Sequence, residues 1–236
     1  MLDPRLARVK TMLAQLADAD REHAVFGASS HGYALHPPLT EAKVAAFERT
    51  HEIRLPDDYR AFITRLGNGG AGPFYGVFRL GEMDGGAKQK RWKVGQDFGH
   101  PARPFPHVEP WNWPADRIIA LHGDETGALE REYYQPFDGA FPMAHEGCAL
   151  RDWLVVTGPE AGHMWHDATA DFGGVVPWGE GKAAQKAHGM IWTLKTIGTP
   201  PRGARSPGAE ARTRLGFLAW YERWLDLATA LVARRG

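Results

Sequence analysis

The chain of 236 residues carries one cysteine, Cys148, which excludes an intrachain disulfide framework. Its three serines are Ser29, Ser30 and Ser206, and none stands in a G-x-S-x-G elbow, so the serine-hydrolase pattern is missing. Neither sign of charge is in excess, with 28 lysines and arginines against 28 aspartates and glutamates. A balanced chain lacks the basic footprint that nucleic-acid binding requires. No apolar run approaches membrane-spanning length. The N-terminal Leu2, Leu6, Val9, Leu13 and Leu16 are interrupted by Asp3, Arg5, Arg8 and Lys10, which fits an amphipathic helix and not a secretion signal. The expectation is a soluble, cytoplasmic protein with no nucleic-acid and no membrane partner. What the chain does have is 43% hydrophobic residues, enough for a sizeable core, and nine tryptophans.

The most informative stretch is Leu55 to Leu80. Pro56 suits a first helical position, where its missing N–H costs nothing. Asp57 and Asp58 then fall in the first turn, favoured by the helix dipole. Tyr59, Phe62, Ile63 and Leu66 share one apolar face. Gly67 is placed to end the helix in a left-handed conformation. Asn68, Gly69 and Gly70 form a tight turn, and positive φ is expected at Gly69 or Gly70. Phe74 to Leu80 alternates as a strand, with Phe74, Gly76, Phe78 and Leu80 inward and Tyr75, Val77 and Arg79 outward. Gly67, Gly69 and Gly72 also spell G-x-G-x-x-G. A dinucleotide site needs a strand before that loop and a helix after it, and here the order is reversed. No cofactor is expected.

The remaining elements follow in chain order. A first helix spans about 2–18, and residues 27–38 form a loop rich in glycine, serine, histidine and proline. Thr40 caps a second helix, with Leu39 and Val44 as its hydrophobic staple. This helix pairs with the one starting at Pro56. Residues 81–90 read as a polar loop, followed by a solvated basic cluster of Lys88, Lys90, Arg91 and Lys93. Five prolines between Pro101 and Pro114 forbid regular helix or central strand, leaving an ordered loop held by Phe105, Trp111 and Trp113. Arg117 to Leu121 reads as a short strand and Gly127 to Tyr134 as another. Ala149 to Thr157 is nearly continuous in apolar residues at Trp153 to Val156, the mark of a central strand buried on both faces. A turn at Gly158 to Gly162 leads to His163–Asp167, and Phe172 to Trp178 adds a further strand. Residues 179–214 form an insertion, with a helix at Lys182 to Ile191 and a surface segment beyond Gly198. Leu215 to Val232 is a closing amphipathic helix. The whole reads as one α+β domain over 1–236 with a mainly antiparallel sheet.

Sites for chemistry are few. His163, His166, Asp167 and Asp171 have metal-ligand composition, yet His163 and His166 point to opposite faces of a strand, so no metal is expected. Cys148 at the head of an apolar strand reads as a buried structural thiol. Asp57 and Asp58 are accounted for by the helix start, and Glu130 and Glu132 by alternating exposure. No catalytic residue is assigned.

A resemblance rests on several stretches together: Phe47–Glu48, LPDDYRAFI at Leu55 to Ile63, NGG at Asn68 to Gly70, WLVVTG at Trp153 to Gly158, GHMWHD at Gly162 to Asp167, and FLAWYERWLD at Phe217 to Asp226. Together they resemble the Smi/Knr family of the SUKH superfamily. In that pattern Pro56, Tyr59, Asn68, Gly69 and Gly70 are scaffold residues. The 179–214 insertion departs from it. The resemblance implies an α+β fold and, in bacteria, most often an immunity protein that binds a cognate toxin, such as a nuclease or another effector domain. A eukaryotic branch is linked to cell-wall synthesis and signalling. On this reading the protein is no enzyme, and Tyr75, Arg79, Trp165 and His166 are its candidate partner-binding residues. The alternatives are a divergent carbohydrate-active hydrolase, suggested by the tryptophans, and a cell-wall-related regulatory scaffold.

Overall fold

The computed structural model describes residues 3–84, 89–95, 98–123, 132, 135–171, 173–179 and 214–235. Most of the 179–214 insertion, and the strand expected at Gly127 to Tyr134 apart from Glu132, lie outside those residues.

Helix α1 (Pro4–Ala19) begins at Asp3, whose side chain accepts from the Arg5 N–H, and it buries Leu6, Val9, Leu13 and Leu16 as their spacing requires. A single turn, α2 (Ala28–His31), interrupts the stretch read as loop. Helix α3 (Glu41–His51) is capped by Thr40 and buries Val44. Helix α4 (Asp57–Arg65) buries Tyr59, Phe62 and Ile63, with Pro56 one position earlier than expected, at the N-cap. The short linker between them is held by Glu48, whose carboxylate accepts from the Leu55 N–H at 2.9 Å.

A small antiparallel hairpin follows, β1 (Glu82–Asp84) and β2 (Gln89–Arg91), where the sequence suggested only loop. Helix α5 (Ala115–His122) replaces the strand expected at Arg117 to Leu121. Pro114 at its N-cap and Asp116 in its first turn favour helix, and Ile118 and Leu121 are buried three residues apart while Ile119 is exposed. The short apolar run resembled a strand because five residues cannot separate the two periods.

The main sheet is antiparallel, in the order β3 (Ala140–Gly147), β4 (Leu150–Val155), β5 (Met164–Asp167), β6 (Val175–Pro177). The chain closes with α6 (Phe217–Ala233). This is the expected α+β fold. Strand β4 lies inside the sheet, and Asp152 to Val155 are all buried. Register fixes the faces. Trp153 pairs with Trp165 on one, and Phe141 with Leu154 with Met164 on the other. The Trp face is covered by the proline-rich loop, whose Phe105 meets Trp165 at 5.0 Å, and by the short turn Gln135–Phe137, whose Phe137 stacks on Trp153 at 4.1 Å. The opposite face meets the helices, with Tyr59 at 6.0 Å from Phe141 and 4.8 Å from Phe217.

Helices α4 and α6 are joined at their N-termini by Asp58. Its Oδ1 accepts from the Tyr59 N–H at 2.8 Å, and its Oδ2 accepts from the Leu218 N–H at 2.9 Å. Gly216, the N-cap of α6, has no side chain to offer, so Asp58 caps that helix from across the core. Helix α1 packs on α6, with Arg5 at 2.6 Å from Glu222 and Arg8 at 2.5 Å from Asp226.

The turn after α4 corrects two expectations. Leu66 is the C-cap in right-handed conformation, and Gly67 does not adopt a positive φ. A Cβ on Gly67 would meet the Leu35 Cβ at 2.7 Å, so glycine serves close approach there. Gly69 and Gly70 do take positive φ, 75° and 104°. Asn68 Oδ1 accepts from the Leu80 N–H at 2.9 Å. Residues 74–80 form no regular strand. Phe74 and Gly76 have left-handed φ, and Val77 alone bridges, to Gly70 and to Ala144. Val77 is therefore buried against the parity reading, whereas Tyr75 and Arg79 are exposed.

Two predictions follow from these contacts. Gly69→Val and Gly70→Val add strain at positive φ and place a Cβ at 2.6 Å and 2.5 Å from backbone oxygens. Each should destabilise by about 1–3 kcal/mol; thermal melts coinciding with the parent would contradict this. Asp58→Ala removes a cap shared by two helices and should cost about 1–2 kcal/mol in denaturant titration, and an unchanged midpoint would show that the cap is replaced by solvent.

Candidate functional site

The four candidate residues separate into two settings. Trp165 and His166, one or other of which strand parity would turn outward, are both fully buried. They sit on opposite faces of β5, and the sheet is covered on both sides, so neither parity brings one of them to the surface. The hairpin reading of residues 158–167 is correct in pairing; the error was to assume one open face.

Tyr75 and Arg79 are exposed. The Tyr75 ring lies 5.4 Å from Phe26 and 5.9 Å from His145 and passes over Gly147. Tyr75 is 44% exposed, one of few large side chains so placed among the described residues. Its loop is propped from below. Phe26 meets Phe74 edge-on, and Gly27 (φ 78°) lets α2 approach so closely that a Cβ there would fall 1.8 Å from the Phe74 carbonyl oxygen. The Arg79 guanidinium lies 3.2 Å from His36 Nδ1 and 4.0 Å from Glu82.

Beside Tyr75 is a feature the sequence reading missed. The β3–β4 connection is a two-residue turn, Cys148 and Ala149, between the paired Gly147 and Leu150. Both turn residues have left-handed φ, 52° and 62°. That geometry ordinarily selects Asn-Gly, and non-glycine residues there are strained. Cys148 is thus an exposed free thiol on a turn and not a buried one. Gly147 was visible as a turn signal, but the strand was begun at Ala149, which hid the hairpin.

Beneath this edge lies a buried ionic cluster. His166 Nδ1 stands 3.0 Å from Glu146 Oε1 and 3.3 Å from Asp152 Oδ1, and the Trp178 indole N–H donates to Asp152 Oδ1 at 2.6 Å. Glu146, Asp152 and His166 are all inaccessible to solvent. Asp152 and His166 are direct cross-strand partners. Glu146 is the unpaired residue of a β-bulge between His145 and Gly147, which turns it inward. Burial pushes the Glu146 carboxyl up to about 8, with Asp152 adding to the effect and His166 opposing it. Burial alone would lower His166, but Glu146 and Asp152 outweigh it and raise the imidazole to about 10. Sequence parity compared His163 with His166 along one strand and could not see partners on neighbouring strands. The other two acidic members had no sequence signal beyond their place near a glycine turn.

Two recesses are lined by described residues. One of about 310 Å³ is lined by Pro104, Pro106, His107, Trp111 and Trp113, with His107 stacked on Trp111. The other, about 610 Å³, holds Asp57 and Asp58. Asp57 is paired with Arg54 at 3.2 Å, and Asp58 is committed to its two helix caps.

The motif residues thus have assigned structural duties: Glu48 in the α3–α4 linker, Tyr59 in the core, Asn68 to Gly70 in the turn. The same region, residues 38–165, matches the SMI1 / KNR4 family (SUKH-1), which is more than half of the chain. The chain belongs to the SMI1 / KNR4 family. No curated protein and no solved structure gives a match. The SMI1 / KNR4 match ends at Trp165, so β6 and α6 lie outside it. No helix among the described residues is long and apolar enough to cross a membrane.

A half-buried histidine, His31, ties the Tyr75 loop to pH. His31 Nδ1 accepts from the Tyr33 N–H at 3.1 Å, its ring meets Trp224 edge-on at 5.9 Å, and it underlies Gly76. Burial holds its pKa down to about 4. The fold refuses a proton that the unfolded chain accepts near 6.5, so stability should fall as pH drops from about 6.5 to 4, by up to about 3 kcal/mol. His31→Asn keeps an acceptor without titrating. It should flatten the melting-temperature profile in that window, and an unchanged slope would assign the acid sensitivity elsewhere.

Proposed function

We propose that this protein works by binding a partner protein without turnover, as an immunity protein that occludes a bacterial toxin domain. Family membership supports the reading, because SUKH domains bind partner proteins and are generally non-enzymatic. The observation that carries it to a place is Tyr75, an exposed aromatic ring held between Phe26 and His145 beside a strained hairpin turn. Rigid aromatic anchors ringed by polar groups are the usual energetic centres of interfaces. Arg79 adds a half-exposed charge on the same segment. Trp165 and His166 are buried in β5 and are no part of the surface. The revised binding set is Tyr75, Arg79, His145 and the Cys148–Ala149 turn. The account needs no catalytic group, cofactor or nucleic acid.

The test is co-expression with a toxin encoded by an adjacent gene. The parent chain should restore growth and co-purify with the toxin. Tyr75→Ala should weaken the complex about 30-fold, as for a 2 kcal/mol hot spot. Full protection by a variant carrying Tyr75→Ala, Arg79→Ala and His145→Ala would remove this surface from the account. Absence of any complex, with measured turnover of a small substrate, would remove the function.

A further inference from the structure

Glu146, Asp152 and His166 come from three adjacent strands and converge in the core. Each offers one ligand atom, and these atoms all lie within 4.8 Å of one another. The imidazole nitrogen stands 3.0 Å and 3.3 Å from the two carboxylate oxygens. Ligands of a tetrahedral zinc ion bonded at about 2.0–2.1 Å are themselves roughly 3.3 Å apart. The distances therefore match donors around a shared centre as well as an ion pair.

Unsatisfied oxygens supply an independent observation. Glu146 Oε2 and Asp152 Oδ2 are buried and have no hydrogen-bond partner. A buried acceptor without a partner costs about 1–3 kcal/mol, and more when charged. Two carboxylates side by side in an apolar core need neutralisation. A dication with a neutral imidazole and two carboxylates is a neutral set, and either free oxygen can complete four-coordination by bidentate binding. The Trp178 indole, donating to Asp152 Oδ1, then serves as the outer hydrogen bond that orients a ligating carboxylate.

We infer that Glu146, Asp152 and His166 bind one divalent transition-metal ion, zinc by preference, in a closed structural site that pins β3, β4 and β5 together. One imidazole with two carboxylates suits zinc, and the absence of solvent access assigns the ion a structural duty. The inference stands independently of the partner-binding function. It also revises the expectation of no metal, which compared histidines along one strand only.

The test uses the full chain purified without a metal-affinity tag. Elemental analysis should find about one equivalent of zinc. After chelator dialysis, added zinc alone should raise the melting temperature, and added manganese should do so less. Trp178→Phe leaves the three ligands in place and should weaken zinc affinity about 10–100-fold in chelator competition. Glu146→Gln, checked for folding by circular dichroism, should lose the stoichiometric metal. Parent protein without metal that also shows no zinc-dependent stabilisation would overturn the inference, whatever the variants do, and would leave the carboxylates sharing a proton.

Discussion

Trp153 and Trp165 on one side of the β3–β6 sheet, and Phe141, Leu154 and Met164 on the other, must all be removed from water. At about 25 cal/mol per Å², each large aromatic side chain contributes several kcal/mol when buried. The rest of the chain is arranged to supply two covers. Helices α4 and α6 cover one face, locked at their starts by Asp58. The proline-rich loop and the turn Gln135–Phe137 cover the other, with Phe105 against Trp165 and Phe137 against Trp153. Segments outside the sheet also reach its edges, where Val77 bridges Ala144 and Trp111 bridges Val175. Both edges are thus partly closed, which limits edge-to-edge association.

That double cover bears on the proposed partner surface. With both sheet faces occupied, the accessible chemistry moves to the rim. There the Tyr75 loop, propped by Phe26 and Gly27, meets the strained Cys148–Ala149 turn. The buried cluster below the same rim joins three strands, β3, β4 and β5. Scaffold and surface are one continuous structure, although they perform different tasks.

How much of this was readable from residues alone depended on local period. Helices α1, α3, α4 and α6 were legible because Leu6, Val9, Leu13 and Leu16, or Phe217, Tyr221 and Trp224, repeat at helical spacing over several turns. Strand β4 was legible from its unbroken apolar run. Helix α5 was not, since Arg117 to Leu121 is too short to show a period. The inward turn of Glu146 depends on a bulge, and a bulge has no sequence mark apart from its partner strand. Alternation puts one of Trp165 and His166 on each face of β5, but it does not say that both faces are covered. Tertiary contacts made that decision, and Phe105, Tyr59 and Trp178 come from distant parts of the chain.

The central claim is that this SMI1 / KNR4 chain binds a protein through its Tyr75 rim and performs no reaction on it. Amide hydrogen exchange on the full chain, with and without the cognate toxin domain, tests this most directly. The account predicts slowed exchange concentrated at residues 74–79 and 145–150, with the toxin's covalent structure unchanged on recovery. Protection confined to the 104–113 recess, or a chemically altered toxin, would contradict it.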